Sequence, residues 1–304
     1  MASDPGHRRA LVTGATGYIG RHLVRQLVSG GWQVSVIVRP ESDLVCLANL
    51  RDMIEVQVHD GTAAGMIELV TRSHPDTVFH LASLFIAQHC TADIDALVTS
   101  NVLFGTQLVE AMSVAGCTRL INIGTSWQHF AGADYNPVNL YAATKQAFDD
   151  ILRYYLEATP LKAITLSLFD SYGPDDSRRK LIGLLRDASL KGTQLQMSPG
   201  EQCIDLVYVD DVVAACLRAT ELLPKQDISH ARYGVSSGQA VRLTHLVAMI
   251  EQATGKTLAI DWGGRPYRPR EVMVPFCPHP PLPGWAPSIS LDQGIARVML
   301  EHFK

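Results

Sequence analysis

Three glycines at intervals of three, Gly14, Gly17 and Gly20 in the run ALVTGATGYIG, constrain this chain more than any other feature of it. An apolar stretch precedes them and a helically spaced one follows, so they mark a strand-to-helix turn. In such a turn the first glycine permits the tight bend, the second lets the backbone approach a pyrophosphate, and the third lets helix and strand pack closely. The helix N-terminus then favours an anion. A dinucleotide site is expected here, with Thr16, Tyr18 and Ile19 beside the glycines.

The rhythm along the chain agrees. Apolar spacing predicts strands over 9–13, 32–38, 54–58, 77–81, 119–123 and 163–168, interspersed with helices over 18–28, 63–72, 93–115 and 140–156. Parallel strands need helix-sized crossovers, so the fold class is α/β, a Rossmann-like doubly wound parallel sheet. After Gly173-Pro174 the rhythm changes to a polar loop over 175–180, an amphipathic segment through Leu190, a Pro199-Gly200 turn, and a strand-like IDLVYV before a helix from Asp211. Residues 264–287 are rich in proline and glycine and read as loops wrapping a substrate. The expected division is a dinucleotide-binding Rossmann domain over 1–172, joined by parts of 204–240, and a smaller C-terminal substrate-binding lobe, mainly 173–304.

Composition narrows the partners. A chain that is 47% hydrophobic and 18% charged can bury a large core. A net charge of -4 without a basic block gives no electrostatic reason for nucleic acid or an anionic membrane surface. The six cysteines form no CxxC pair and the eleven histidines no HExxH, so no metal site is indicated. The polar start MASDPGHRR and the lack of a bilayer-length apolar run predict a cytoplasmic protein in a reducing compartment.

Tyr141 and Lys145, in LYAATK, lie one turn apart on one face of a predicted helix. An ammonium beside a phenol favours the phenolate, so Lys145 is expected to lower the Tyr141 pKa. With the glycine turn, this pair reads as hydride transfer between a nicotinamide and a carbinol or ketone. The second strand ends at Arg39, where an acid would bind the ribose 2'-hydroxyl of NAD, and no acid follows until Glu41. A basic residue there accommodates a 2'-phosphate, so NADP(H) is favoured, with NAD the alternative. Asp60 and Gly61, after the third strand, are placed to meet the adenine edge.

The motifs GATGYIG, HLAS (80–83), SNVLFGT (100–106), YAATK, FDSYGP (169–174) and YVDDV (208–212) occur in order, and together they resemble the extended short-chain dehydrogenase/reductase family of nucleotide-sugar epimerases, dehydratases and ketoreductases. The resemblance implies cofactor contacts at Leu81, Ala82, Ser83, Asn101 and Phe169, with Tyr141 and Lys145 shared between cofactor and chemistry. It also implies a homodimer formed by the helices over 101–115 and 141–156. The family's catalytic hydroxyl falls in GTSWQ, on Thr125 with Ser126 as competitor. Ser126, Trp127, Gln128, Lys180 and Arg268 are then the expected nucleotide-sugar contacts, and Arg270 could serve the diphosphate or simply face solvent.

Departures from the family narrow the chemistry. Sugar 4,6-dehydratases follow the catalytic threonine with an Asp-Glu pair, and fucose-type epimerase/reductases place a cysteine near Trp127; neither is present. Reduction of a 4-keto sugar or 4-epimerisation through a transient ketone needs only hydroxyl, tyrosine, lysine and hydride. Arg39 leans toward net reduction. GTSWQHF with YNPVNLYAATKQAFDDIL is most similar to the CDP-abequose and CDP-paratose synthase group, which reduces a 4-keto-3,6-dideoxy sugar at C4. A 4-epimerase with tightly bound NAD is the alternative, and a non-catalytic NADP(H)-sensing regulator a more distant one.

Overall fold

The computed structural model describes residues 8–178, 180–225 and 229–300. Most of the polar start, one residue of the 175–180 loop, residues 226–228 and the last four residues of the expected lobe lie outside these.

Seven strands form one parallel sheet: β1 (Arg9–Thr13), β2 (Gln33–Val38), β3 (Ile54–Val58), β4 (Thr77–His80), β5 (Arg119–Thr125), β6 (Lys162–Leu168) and, later in the chain, β11 (His230–Val235). Their spatial order is β11-β6-β5-β4-β1-β2-β3. The chain winds outward from β1 in both directions, so the switch point lies between β1 and β4, and ligands of such sheets bind beyond the strand C-termini there. Successive residues of β1 serve opposite faces. Ala10 and Val12 pack under α1 (Tyr18–Ser29) and α7 (Val209–Leu222), with Leu23, Leu27, Val212 and Cys216. Leu11 packs under α2 (Ala63–Ser73), α4 (Phe104–Val114) and α5 (Leu140–Ala158), with Met66, Leu108, Phe148 and Leu152. Burial on both faces is why these strands read as unbroken apolar runs.

The remaining elements build a smaller layer. They are β7 (Asp170–Tyr172), α6 (Leu181–Lys191), β8 (Leu195–Met197), β9 (Cys203–Ile204), β10 (Leu206–Tyr208), β12 (Val241–Arg242), α8 (Leu243–Thr254), β13 (Ile260–Trp262) and α9 (Leu291–Leu300). Short pairs β7/β10, β9/β12 and β8/β13 hold them together. Leu185, Leu246, Ile250 and Val298 form their core, which also takes in Tyr18 of α1. This layer therefore packs on the helix that starts at the glycine turn. Among the described residues no helix is long and apolar enough to cross a membrane.

Two elements differ from expectation. The helix expected over 93–115 is divided into α3 (Ile94–Val98), a π-helical turn at Thr99–Leu103, and α4. Asn101 sits in that turn with its side chain bonded to other segments, and such bulges accommodate inward-directed polar groups. IDLVYV is interrupted at Asp205, whose buried carboxylate accepts the Ser237 N–H at 2.9 Å, and the following helix begins at Val209, before Asp211. Residues 264–287 contain no helix or strand but are tied down, with Trp285 Nε1 donating to the Asp211 carbonyl at 3.0 Å and Cys203 N–H to that of Met273 at 2.8 Å.

Candidate active site

At the C-terminal edge of β1, β4 and β5 lies a cavity of about 500 Å³ that reaches from the glycine turn to Tyr141. Gly14 has φ +71°, and a Cβ there would lie 2.6 Å from Ala82 N; a Cβ on Gly20 would lie 2.0 Å from the Gly14 carbonyl oxygen. Gly17 is different. A Cβ on it would meet only the Gly14 oxygen, at 3.1 Å, and it is the N-cap of α1 with no side-chain cap. The first N–H groups of a 12-residue helix thus face the cavity uncapped, beside a residue without a side chain. This is a fit for a dinucleotide pyrophosphate.

Tyr18, Ile19, Leu81, Ser83 and Phe169 line the same cavity with the glycines. Thr16 and Ala82 stand just behind: the Thr16 carbonyl accepts from Cys46 Sγ at 3.7 Å, and Ala82 N–H donates to Thr13 Oγ1 at 3.3 Å. Arg39 is exposed at the end of β2 and pairs with Glu41 at 3.2 Å. Asp60 accepts from Thr62 N and Oγ1, both at 2.8 Å, which buttresses the start of α2, while the Gly61 carbonyl accepts from Gln107 at 2.9 Å.

The other wall is made by α5 and the end of β5. Asn139 caps α5, accepting from Ala142 N–H at 2.9 Å, and donates to the Ala87 carbonyl at 2.9 Å, so the first turn bearing Tyr141 is anchored to the loop after HLAS. Tyr141 and Phe85 meet edge to face at 5.0 Å, and Phe85 lies 5.5 Å from Trp127. Lys145 is buried one turn behind Tyr141. Thr125, Ser126 and Trp127 line the cavity. The Thr125 hydroxyl accepts the Trp127 N–H at 3.3 Å, whereas Ser126 also opens on an adjoining cavity of about 300 Å³. That second cavity, toward the smaller layer, holds Trp127, Phe169, Lys180 and Arg268.

Charge in the second cavity is paired. Lys180 Nζ lies 3.3 Å from Asp170 and 4.6 Å from the centre of the Phe85 ring. Arg268 grips Glu271 in a fork at 2.6 and 2.9 Å and lies 5.4 Å from the Trp127 ring. Burial pushes Glu271 up, but the hydrogen bonds and charge of Arg268 outweigh it and hold the carboxyl below its ordinary value. Arg270 turns away and bonds to Asn136.

Three expectations need correction. Lys145 does not lower the Tyr141 pKa: burial pushes the phenol up to about 12, Asp170 adds to the rise, and a hydrogen bond with Ser83 opposes it. Lys145 is itself pushed down to about 8 by burial, with Asp149 opposing. Desolvation is the largest influence on both groups. Asn101 does not present its side chain to a cofactor. Its oxygen accepts from Ser83 Oγ (3.1 Å) and Leu84 N–H (2.7 Å), and its nitrogen donates to the Leu84 carbonyl (3.0 Å) and Thr144 Oγ1 (2.9 Å), leaving no capacity over. Gln128 is 2% exposed, with its amide bonded to Thr125 N–H, Gln146 and Asp149 at 2.9–3.0 Å, so it is held away from the cavity.

Sequence reasoning overlooked Phe85, which lines both cavities, and Arg178, which lines the larger one and covers the Tyr18 ring at 4.2 Å. Neither stands in a recognisable motif. It also overlooked Asp149, whose signal was available: it lies one further turn along the Tyr141–Lys145 face.

The sequence model of the NAD dependent epimerase/dehydratase family matches residues 10–230. CDP-abequose synthase of Salmonella typhimurium is 28% identical over 302 residues, covering 95% of this chain and 96% of its own. UDP-glucose 4-epimerase of Mycolicibacterium smegmatis is 26% identical, covering 97% and 98%. Among solved structures, the Thermus thermophilus UDP-glucose 4-epimerase complex with NAD superposes with a TM-score of 0.82 at 24% identity, over 97% of this chain and 98% of that one.

Proposed function

The chain belongs to the NAD dependent epimerase/dehydratase family, and from that premise we propose that it is an NADPH-dependent reductase of the C4 ketone of a nucleotide-linked 4-keto-6-deoxy or 3,6-dideoxy hexose. The carrying observation is the continuity of the two cavities: an uncapped helix N-terminus at one end, Tyr141 and Ser126 in the middle, and Lys180 and Arg268 at the other. A nicotinamide dinucleotide held by its pyrophosphate at the glycine turn would supply the hydride. The similarity to CDP-abequose synthase supports a sugar ketone as its acceptor. The proposed division of labour gives the cofactor to residues 1–172 with parts of 204–240, and the nucleotide sugar mainly to 173–304.

Tyr141 hands its proton to the oxygen that becomes the C4 hydroxyl. Burial keeps the phenol protonated through neutral pH, which is the form a reduction consumes. Lys145, cationic below about 8, is buried one turn behind it on α5. Trp127 flanks the sugar, while Lys180 and Arg268 meet the diphosphate. Of the two hydroxyls, Ser126 is the better placed to hold the sugar oxygen, because it opens on both cavities whereas Thr125 lines only the larger one. Ser126→Ala is expected to lower kcat by roughly 100-fold, the scale of one lost oxyanion donor. Thr125→Val is expected to lower it by about tenfold or less through loosening of the turn. Steady-state kinetics on both variants decide, and the reverse order would return the role to Thr125.

For the cofactor, an exposed Arg39 with no acid in its place supports NADPH, although its pairing with Glu41 means the arginine must exchange partners to meet a 2'-phosphate. Arg39→Asp is expected to move the NADPH/NADH ratio of kcat/KM by on the order of tenfold or more toward NADH. An unchanged ratio would remove the argument for NADP. Exposed Ile94, Val98, Leu103 and Tyr154 on the outer side of α3–α5 support the homodimer.

The direct test is NADPH absorbance with CDP- and dTDP-linked 4-keto-6-deoxyglucose and the 3-deoxy CDP compound, with NADH in parallel. Consumption with any of them establishes the reductase and identifies its nucleotide. A second reading, 4-epimerisation, draws on the similarity to UDP-glucose 4-epimerases; it calls for NAD retained through purification and no net cofactor consumption.

A further inference from the structure

The segment that joins β7 to α6 belongs to the smaller layer, yet residues 173–178 of it lie against the start of α1, at the glycine turn. A Cβ on Gly173 would lie 2.7 Å from the Tyr18 hydroxyl oxygen, and Arg21 of α1 donates to the Asp175 carbonyl. Farther along, Arg178 brings its guanidinium 4.2 Å from the centre of the Tyr18 ring. Tyr18 is the first residue of α1, directly after the uncapped Gly17. A cation from the smaller layer therefore stands at the helix end that fits a pyrophosphate.

The guanidinium is held in place. Its Nε and Nη2 each donate to Asp176 at 2.7 Å, and Nη2 also donates to the Ser171 carbonyl at 3.0 Å, with Ser171 Oγ at 3.3 Å. An arginine has five N–H donors, and these contacts engage only the Nε and Nη2 hydrogens. Among the described residues the two hydrogens on Nη1 have no partner. Arg178 lines the larger cavity with Gly14, Gly17 and Gly20, and it does not line the cavity toward the smaller layer. Lys180, two residues on, lines both.

We propose that Arg178 is a cofactor-binding residue: its Nη1 hydrogens serve the dinucleotide pyrophosphate, while Asp176 and Ser171 fix the guanidinium at the glycine turn. The run GATGYIG contains no basic residue, so the turn itself offers only backbone N–H groups and the partial charge of a helix end. A pyrophosphate is charged on both phosphates, and a guanidinium is the side chain best matched to it. The inference rests on reading the glycine turn as a dinucleotide site, but not on the identity of the sugar or on the choice between reduction and epimerisation.

NADPH and NADH share the pyrophosphate, so the loss of Arg178 should weaken both alike. In Arg178→Gln the dissociation constants of NADPH, NADH and ADP-ribose are each expected to rise by the same factor, on the order of tenfold or more, in calorimetric titration of the full chain. Arg39→Asp, by contrast, should separate NADPH from NADH. Affinity of the parent chain for NADH should also fall more steeply with added sodium chloride than that of Arg178→Gln, a difference that a purely structural role would not produce. Arg178→Lys covers the case in which the glutamine variant does not fold. An ammonium keeps the charge but cannot hold Asp176 along one edge and offer a second, so the same uniform loss is expected at about threefold. Three results overturn the proposal. Parent-like affinity for all three nucleotides, or equal salt slopes, would leave Arg178 a pin between this segment and α1. A loss confined to NADPH would place it at the 2'-phosphate. Unchanged cofactor constants with weaker binding of CDP or UDP would give it to the sugar diphosphate. No sugar ketone enters these titrations, so failure to reduce any ketone offered counts against the reductase reading and not against this one.

Discussion

Tyr141→Phe should lose essentially all turnover, with kcat down by roughly 10³-fold or more, while NADPH binds within about threefold of the parent chain. The asymmetry follows from what the hydroxyl does and what the ring does. The ring packs edge to face on Phe85 at 5.0 Å, and phenylalanine keeps that contact. The α5 cap at Asn139 is untouched. What disappears is one hydrogen bond with Ser83 and the acid itself. Because burial holds the phenol protonated up to about 12, the proton is available at every pH where the protein would be assayed. Single-turnover kinetics with preloaded NADPH, alongside cofactor fluorescence titration, separate the two effects. A variant that still turns over at a tenth of the parent rate would show that the proton comes from elsewhere.

Gly20→Ala should be the most damaging change in the cofactor turn, and Gly17→Ala should divide stability from binding. A methyl on Gly20 would lie 2.0 Å from the Gly14 oxygen and 2.9 Å from Ala15 Cα, all backbone, so no side chain can move aside. Overpacking of this kind typically costs about 1–3 kcal/mol, and here it must also displace the turn that receives the pyrophosphate. The expected result is a melting temperature lower by several degrees and NADPH affinity weaker by on the order of 100-fold. A methyl on Gly17 has only the Gly14 oxygen nearby, at 3.1 Å, and otherwise points into open space. Its melting temperature should stay near that of the parent while affinity falls by about tenfold or more, since the methyl occupies the approach of the phosphate. Equal melting losses in both variants would mean that Gly17 serves the fold and not the ligand.

Much of this was legible in local spacing. The glycine turn, the alternation of strands with crossover helices and the one-turn separation of Tyr141 from Lys145 are each settled within a few residues of chain. Backbone geometry alone turns those spacings into an α/β sheet with a nucleotide turn at its switch point and two functional groups on one helical face. Nothing as local could assign Asn101 or Gln128. Both are polar residues inside recognisable motifs, yet each spends its amide on partners 17 to 43 residues away, Leu84 and Thr144 for Asn101, Gln146 and Asp149 for Gln128.

The proton affinity of Tyr141 is the clearest case of what tertiary structure alone decided. From sequence, a lysine one turn away should acidify the phenol; in the fold, desolvation is the largest influence on both groups, raising the phenol and lowering the ammonium. Pair interactions along a helix can be read from spacing. Burial is summed over every segment that closes on a residue, and it exists only once the chain has folded.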